Sequence, residues 1–579
     1  MRHMEYLFFS LAAFGFIFLI MLAGWIQEKR RERKFIKSLK TDYGILPKRE
    51  YPPEQYENMT HFFRRKQKAE KESFFIDDIT WHDLEMDEIF KRMNHTYSSA
   101  GEEYLYYLLR KPSNQRAEID KREEIITYFR NHPHERVAWQ FLFAQVGRTG
   151  KYSIHDYLGY LDQLGKRSNA PHFIAIGSFI AALFLISISP SLGVAALFIV
   201  LANNLLSYFR LKKDIEPYII SFTYIFRVLD CVKIMEKNRV PILREQIDEI
   251  VKCKAAFRRF RWGSYLLMSP SRLNNGGNPL EAILDYLRMG FHLDLIKFNQ
   301  MLSEVRKNEG KIDHILTMMG EIEAMIAIGA WRVKTGYCIP TFTDNMQITC
   351  RNIYHPLLTE PVKNDFNVDK SILLTGSNAS GKSTFLKTIA INAILAQSIH
   401  TCTADFYQTA MFHVATSMSL RDDIIAGDSY YMVEIKAMKR LIDLGKKRKN
   451  PILVLVDEVL RGTNTVERIA ASTQILRSLN LKNSVCLAAT HDIELTYLLA
   501  DEYENYHFEE KFIDNDIYFP YKILSGPATT RNAIKLLKVM GYDETLIADA
   551  DRLAGQFMES GSMKRFSKCV SSGTHTKKI

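Results

Sequence analysis

Gly376, Gly381, Lys382 and Ser383 stand in the run TGSNASGKST at residues 375–384, which has the spacing G-x-x-x-x-G-K-S. Such a loop is built for phosphate. Its glycines let the backbone N–H groups of Gly376, Ser377, Asn378, Ala379, Ser380 and Gly381 curl around phosphate oxygens, and Lys382 reaches the outer phosphates. Ser383 supplies a hydroxyl ligand for Mg2+, and Thr384 opens the helix whose positive dipole end faces the anion. A second run, PILVLVDE at 451–458, is an apolar strand ending in two carboxylates. Asp457 suits the water shell of Mg2+, and Glu458 suits the orientation or deprotonation of an attacking water. A third apolar run at 484–489 ends in Thr490-His491, where a histidine can reach a terminal phosphate or its water. Glu458, His491 and Lys382 are therefore the candidate catalytic residues of an ATP hydrolase, with ATP and Mg2+ as its cofactors.

These residues need a scaffold that brings strand ends together. Short apolar runs at 371–374, 412–418, 452–456 and 484–488 alternate with helical segments, the pattern of a parallel sheet covered by helices. Upstream the period is helical, at 103–109, 119–129, 215–235, 241–257, 279–309 and 311–332, with a loop at Asn274-Asn275-Gly276-Gly277-Asn278-Pro279. The predicted fold is an α/β P-loop ATPase domain preceded by an all-α lever or core domain, which a transmembrane helical hairpin interrupts.

Residues 7–26 form an apolar run of about 20 residues, enough at 1.5 Å each to cross the roughly 30 Å hydrocarbon core. The alternative is a cleaved signal peptide, whose apolar part is usually shorter. Lys29, Arg30, Arg31, Arg33, Lys34, Lys37 and Lys40 follow, a basic flank that marks the cytoplasmic side and attracts anionic headgroups. Residues 173–209, broken at Ser189-Pro190-Ser191, read as two short spans with a tight turn. Basic residues on both sides, Lys166, Arg167, Arg210, Lys212 and Lys213, place both ends in the cytoplasm. A buried core hairpin is the other reading of spans this short. The expectation is a multi-pass cell-membrane protein with a cytoplasmic ATPase domain.

The chain has 579 residues and a formal charge of +11, which favours an anionic partner without choosing among nucleotide, lipid and nucleic acid. Its seven cysteines show no C-x-x-C pair, so no zinc site and no secreted disulfide framework is expected. Phe257-Arg258-Arg259-Phe260-Arg261-Trp262 interleaves rings and cations, as surfaces that bind nucleic acid do; a charged helix face against a membrane or protein has the same composition.

Taken in order, these pieces resemble the ATPase domain of the MutS family of DNA mismatch-repair proteins. TGSNASGKST is similar to that family's phosphate loop, Asn378 included; GDSYYMVE at 427–434 resembles its signature segment; DEVLRGTNT and ATHDIELT resemble its remaining motifs. No LSGGQ-like sequence precedes the Asp-Glu strand, which disfavours an ABC transporter ATPase. The resemblance implies that Ser429 contacts the γ-phosphate held by the opposite subunit, making a homodimer the active unit. It also implies that His355-Pro356 and Asn364-Asp365 lie near the nucleotide base. Segments at 79–122 and 321–340 resemble the two ends of the family's helical core, through which DNA is a candidate partner.

The expected layout is a transmembrane anchor at 1–26, a basic linker at 27–75, helical core at 76–165, the hairpin at 172–209, further core and lever at 210–338, the ATPase at 339–556 and a mobile tail at 557–579. A mismatch-recognition domain with its Phe-x-Glu motif is missing from residues 1–75, the interval 252–289 is short for a DNA clamp, and no Smr-like nuclease follows. Three functions stay open: a membrane-anchored ATPase whose dimer closure acts on DNA, in a role related to mismatch repair or recombination; an ATP-gated membrane scaffold that binds no DNA; and, behind these, a degenerate ATPase that only binds nucleotide.

Overall fold

The computed structural model describes residues 2–47, 49–149, 153, 156, 159, 165, 167–261, 288–377, 379–418, 430–447, 450–460, 464–513, 516–528, 534, 535, 537 and 540–560. Its internal contacts divide the chain into two units, 1–339 with 394–403, and 340–393 with 404–579.

The first unit is helical: α1 (Arg2–Thr41), α2 (Pro53–Ala69), α3 (Asp78–Asp83), α4 (Met86–Met93), α5 (Ser99–Arg110), α6 (Arg116–Asn131), α7 (Pro133–Val146), α8 (Ala170–Ile188), α9 (Pro190–Lys237), α10 (Arg244–Ala255), α11 (Arg258–Arg261), α12 (Leu293–Lys307) and α13 (Glu309–Arg332). Helix starts follow local chemistry. Asp77 accepts from Thr80 N at 2.7 Å, Ser98 accepts from Gly101 N at 3.1 Å, and prolines open α2, α7, α8 and α9. Every residue of α5 is buried, and it packs between α2 and α13. From α13, Glu323 accepts hydrogen bonds from Tyr97 N and Ser98 N at the start of α5, and burial pushes its carboxyl up to about 7.

Helices α8 and α9 break at Ser189, whose extended backbone precedes Pro190. Ala170–Ile188 and Pro190–Ile215 are long and apolar enough to cross a membrane, by length and composition. Phe173, Ile174, Phe184, Phe198, Ile199 and Leu206 are exposed there. The predicted span at 7–26 is helical as part of α1. Helix α9 then continues without a break to Lys237, so the helix expected at 215–235 is the end of a longer one, with Phe222, Val228 and Val232 in the core. The helix expected at 279–309 is interrupted: His292 has φ 52, a left-handed conformation that ends one helical run before α12 starts. Phe257 and Phe260 are buried, Phe257 against Phe260 and Phe260 against Phe222 and Phe226, while Arg258, Arg259 and Arg261 face outward. Those rings are core residues and not a stacking platform for bases; Trp262 and the loop at 274–279 lie outside the described residues.

The second unit carries β1 (Thr341–Phe342), β2 (Ile348–Ile353), β3 (Asn364–Val368), β4 (Ser371–Thr375), β5 (Phe406–Thr409), β6 (His413–Ser417), β7 (Ile452–Asp457), β8 (Ser484–Ala489), β9 (Tyr503–Phe508), β10 (Lys511–Ile513), β11 (Asp516–Tyr518) and β12 (Ile523–Ser525). Its helices are α14 (Lys382–Ile399), α15 (Tyr430–Lys447), α16 (Thr465–Leu479), α17 (Glu494–Leu498) and α18 (Glu544–Ser560). The last residues of α14, from 394, group with the first unit. The main sheet has the order β12-β9-β4-β8-β7-β6, its strands parallel except β12. Strands β4, β6 and β8 are buried at every position, as strands covered on both faces must be. A smaller sheet runs β1-β5-β2-β3.

Candidate functional site

In parallel sheets of this kind the carboxyl ends of the strands point at the ligand crevice. Strand β8 lies between β4 and β7, so the three predicted motifs emerge side by side. Glu458 N donates to Ala489 O at 2.9 Å and Thr490 N to Leu374 O at 3.0 Å, fixing the three strand ends to one another.

The turn after β4 is set by Gly376 at φ 142 and Gly381 at φ 105, conformations in which L side chains are rare. A Cβ on Gly376 would lie 2.7 Å from Phe508 O, and one on Gly381 would lie 3.0 Å from the Tyr521 ring. Lys382 starts α14 and is buried, its Nζ donating to Gly376 O at 2.7 Å and Ser377 O at 2.8 Å. The Ser380 hydroxyl is buried and has no partner among the described residues. Ser377 Oγ donates to Glu510 at 2.9 Å. Together with the N-terminus of α14, this cradle of glycines, lysine and an unsatisfied hydroxyl fits a polyphosphate. Ser383 Oγ donates to Asp457 Oδ2 at 2.5 Å, so the hydroxyl and carboxylate expected around Mg2+ are already adjacent.

Glu458 follows with φ 63, left-handed backbone for a side-chain-bearing residue, and Leu460 has φ 57. His491 Nε2 is 2.6 Å from Glu458 Oε1. The turn carrying His491 is braced: Asp492 N donates to Thr490 Oγ1 at 3.0 Å, and Arg468 of α16 grips Asp492 with two bonds of 3.0 and 2.6 Å.

One cavity of about 860 Å³ is lined by Ser377, Ala379, Ser380, Gly381, Lys382, Ser383, Thr384, Asp457 and Glu458, together with Tyr354, His355 and Tyr521. His355 is buried with its ring nitrogen 3.3 Å from Leu357 N, and Pro356 follows it in the same turn. Asn378, Ser429 and the stretch 461–463 lie outside the described residues. Sequence reasoning missed Tyr521, Tyr354, Phe508 and Glu510. Tyr521 comes 140 residues after Gly381 (521 − 381), and it is Asn364 that holds its segment, donating to Tyr521 O and accepting from Ile523 N, each at 3.0 Å. The one local signal was a tyrosine inside an aromatic stretch, 518–521, after the last predicted strand.

Among the described residues, no group of three His, Cys, Asp or Glu side chains could hold a metal by itself. A Mg2+ at Ser383 and Asp457 would therefore share its remaining positions with phosphate and water.

Residues 372–558 match the family model described as MutS domain V. The chain is 29% identical over 261 residues to the DNA mismatch repair protein MutS of Thermus aquaticus, covering 44% of this chain and 32% of that protein. It is 27% identical over 367 residues to the protein of the same name from Lactobacillus acidophilus, covering 61% of this chain and 41% of the relative. With the Streptococcus suis protein the identity is 29%, over 44% of this chain and 31% of the other. The chain thus spans about a third to two fifths of the length of the curated relatives it matches.

Proposed function

We propose, for a chain that belongs to the MutS family through its domain V, that it binds and hydrolyses Mg-ATP at the ends of β4, β7 and β8 and that nucleotide state drives a homodimer. One observation carries the reading: the Ser383–Asp457 pair and Glu458, which His491 contacts, border the same cavity as the phosphate turn. Lys382 and the backbone N–H groups of residues 376–384 hold the phosphates. Ser383 and Asp457 hold Mg2+, which when bound offsets charge on the phosphate oxygens. Glu458 positions and deprotonates the attacking water, and His491 orients Glu458 and meets the terminal phosphate. His355, Pro356 and the ring of Tyr521 border the base. Ser429 acts in trans on the partner's nucleotide.

In this reading the chain is anchored in a membrane by residues 7–26 and by the α8–α9 hairpin, with the ATPase unit on the cytoplasmic side. The exposed apolar surface of the two helices supports it. DNA is the proposed effector, since the matched relatives are named for DNA mismatch repair. A second reading, an ATP-gated membrane scaffold without DNA, draws on α9, which runs as one helix from the apolar span into the helical unit.

The test is ATP turnover by the full-length protein in lipid nanodiscs, with and without homoduplex, mismatched and branched DNA, with Lys382→Ala as blank. Stimulation by DNA is expected. Turnover that ignores DNA but changes with lipid or on deletion of residues 173–209 selects the scaffold reading, and binding without turnover overturns the hydrolase.

A further inference from the structure

We propose that Cys338 and Cys402 are a redox modification site, closing reversibly to a disulfide when the protein meets a hydroperoxide. The two residues face each other in an isolated antiparallel bridge of the helical unit. Cys338 N donates to Cys402 O at 2.9 Å and Cys402 N donates to Cys338 O at 3.1 Å. Such mutual exchange defines a hydrogen-bonded antiparallel pair, with Cα atoms about 5.5 Å apart, inside the roughly 4.4–6.8 Å span of disulfides. Directly opposed residues put their side chains on the same face, so the two thiols are neighbours.

The bond would be reversible for a geometric reason. Opposed Cβ atoms stand about 4.5–5.5 Å apart, whereas a relaxed disulfide takes about 3.5–4.5 Å. Closing it draws the bridge together and stores strain, which makes the bond easier to reduce than a structural disulfide. Exposure assigns the order of events. Cys338 is half-buried and Cys402 is fully buried, so the peroxide meets Cys338 first. Its thiolate takes one peroxide oxygen, the O–O bond breaks, and an alcohol or water leaves, giving a sulfenic acid. The Cys402 sulfur then attacks that sulfur, forming S–S and expelling water; the two thiols lose two electrons and the peroxide gains them.

The bond would reinforce an existing joint. Six residues before Cys338, Arg332 ends α13 and donates to Thr401 Oγ1 at 2.9 Å, to Ile399 O and His400 O at 3.0 Å, and to Glu123 at 2.7 and 2.9 Å. The segment leaving α13 and the segment leaving α14 are already held side by side there, and the disulfide would make that junction covalent. The loop it closes, 338–402, contains the whole phosphate turn. Competing thiols are less suited: Cys231, Cys350 and Cys486 are buried, and burial pushes the Cys253 thiol up, leaving less thiolate to react.

Full-length protein in nanodiscs would be reduced, treated with one equivalent of hydrogen peroxide, alkylated and digested for mass spectrometry. The expected product is a linked peptide pair holding Cys338 and Cys402, lost with millimolar reduced glutathione, absent from Cys338→Ser, and unaffected by Cys253→Ser or Cys569→Ser. Because the wild-type peptide pair is itself the readout, the result does not depend on a variant folding. Oxidation of Cys338 onward to sulfinic acid, its pairing with Cys253 or Cys569, or a bond that survives glutathione would overturn the proposal.

Discussion

His491 Nε2 stands 2.6 Å from Glu458 Oε1, and the two residues follow the ends of neighbouring parallel strands, β8 and β7. A carboxylate so engaged is held in a fixed orientation at the cavity. Strain in the Glu458 backbone, at φ 63, is compensated by the bond from Glu458 N to Ala489 O on the adjacent strand.

Glu458→Gln is expected to keep ATP binding and lower kcat by about 10²- to 10⁴-fold, the range for a lost general base. If His491 acts by orienting that base, His491→Ala lowers kcat less, and the double variant is no slower than Glu458→Gln alone. Nucleotide binding and single-turnover hydrolysis measure both; additive losses would separate the two residues.

Lys382→Ala removes the cation proposed to reach the phosphates, and ATP binding measured by calorimetry should weaken. Ser383→Ala and Asp457→Asn each remove one side of the 2.5 Å pair and should shift the Mg2+ dependence of turnover to higher concentration while nucleotide binding without Mg2+ changes little.

The two glycines of the turn should differ. In Gly376→Ala the new Cβ meets a backbone oxygen, Phe508 O, at 2.7 Å, at a φ of 142, so both folding and binding should suffer, by about 1–3 kcal/mol of strain at least. In Gly381→Ala the neighbour is the exposed ring of Tyr521, which can turn aside, so the fall in Tm should be smaller and the loss of ATP binding the main effect. Thermal melts beside binding isotherms would reveal equal effects if this reasoning fails.

Two carboxylates of the helical unit should give stability slopes of opposite sign. Burial pushes Glu323 up to about 7, so between about pH 4.5 and 7 the folded chain holds a proton that the unfolded chain has lost, and stability falls as pH rises. For Glu123, burial alone would raise the carboxyl, but bonds from His400 and Arg332 hold it down to about 2, so its contribution is present above about pH 4.5 and is lost as pH falls toward 2. Each shift corresponds to about 3 kcal/mol at its full extent. Urea unfolding from pH 3 to 8 should lose the first slope in Glu323→Gln and the second in Glu123→Gln.

The phosphate turn, the Asp457-Glu458 strand end and Thr490-His491 were legible as a sequence because each is a contiguous word whose backbone conformation and side chains act within a few residues. Strand β7 was legible through its apolar run ILVLV, which must be covered on both faces. The small sheet β1-β5-β2-β3 was not, because its strands are short and β5 pairs with β1 and β2 across more than 50 residues, as Thr349 does with Gln408. Nor was the character of Phe257 and Phe260, since a ring between arginines has the same local pattern whether it faces a base or a core.

What the sequence by itself determined about this protein is therefore which chemical groups each motif gathers, since Gly, Lys, Ser, Asp and Glu stand within one turn or at one strand end. The tertiary structure alone decided which motifs meet. The order β4-β8-β7, set by non-local hydrogen bonding and burial on both faces, seats His491 beside Glu458 and brings Ser383 against Asp457, while the bonds of Asn364 to Tyr521 O and Ile523 N bring Tyr521 to a cavity whose phosphate turn lies 140 residues earlier in the chain.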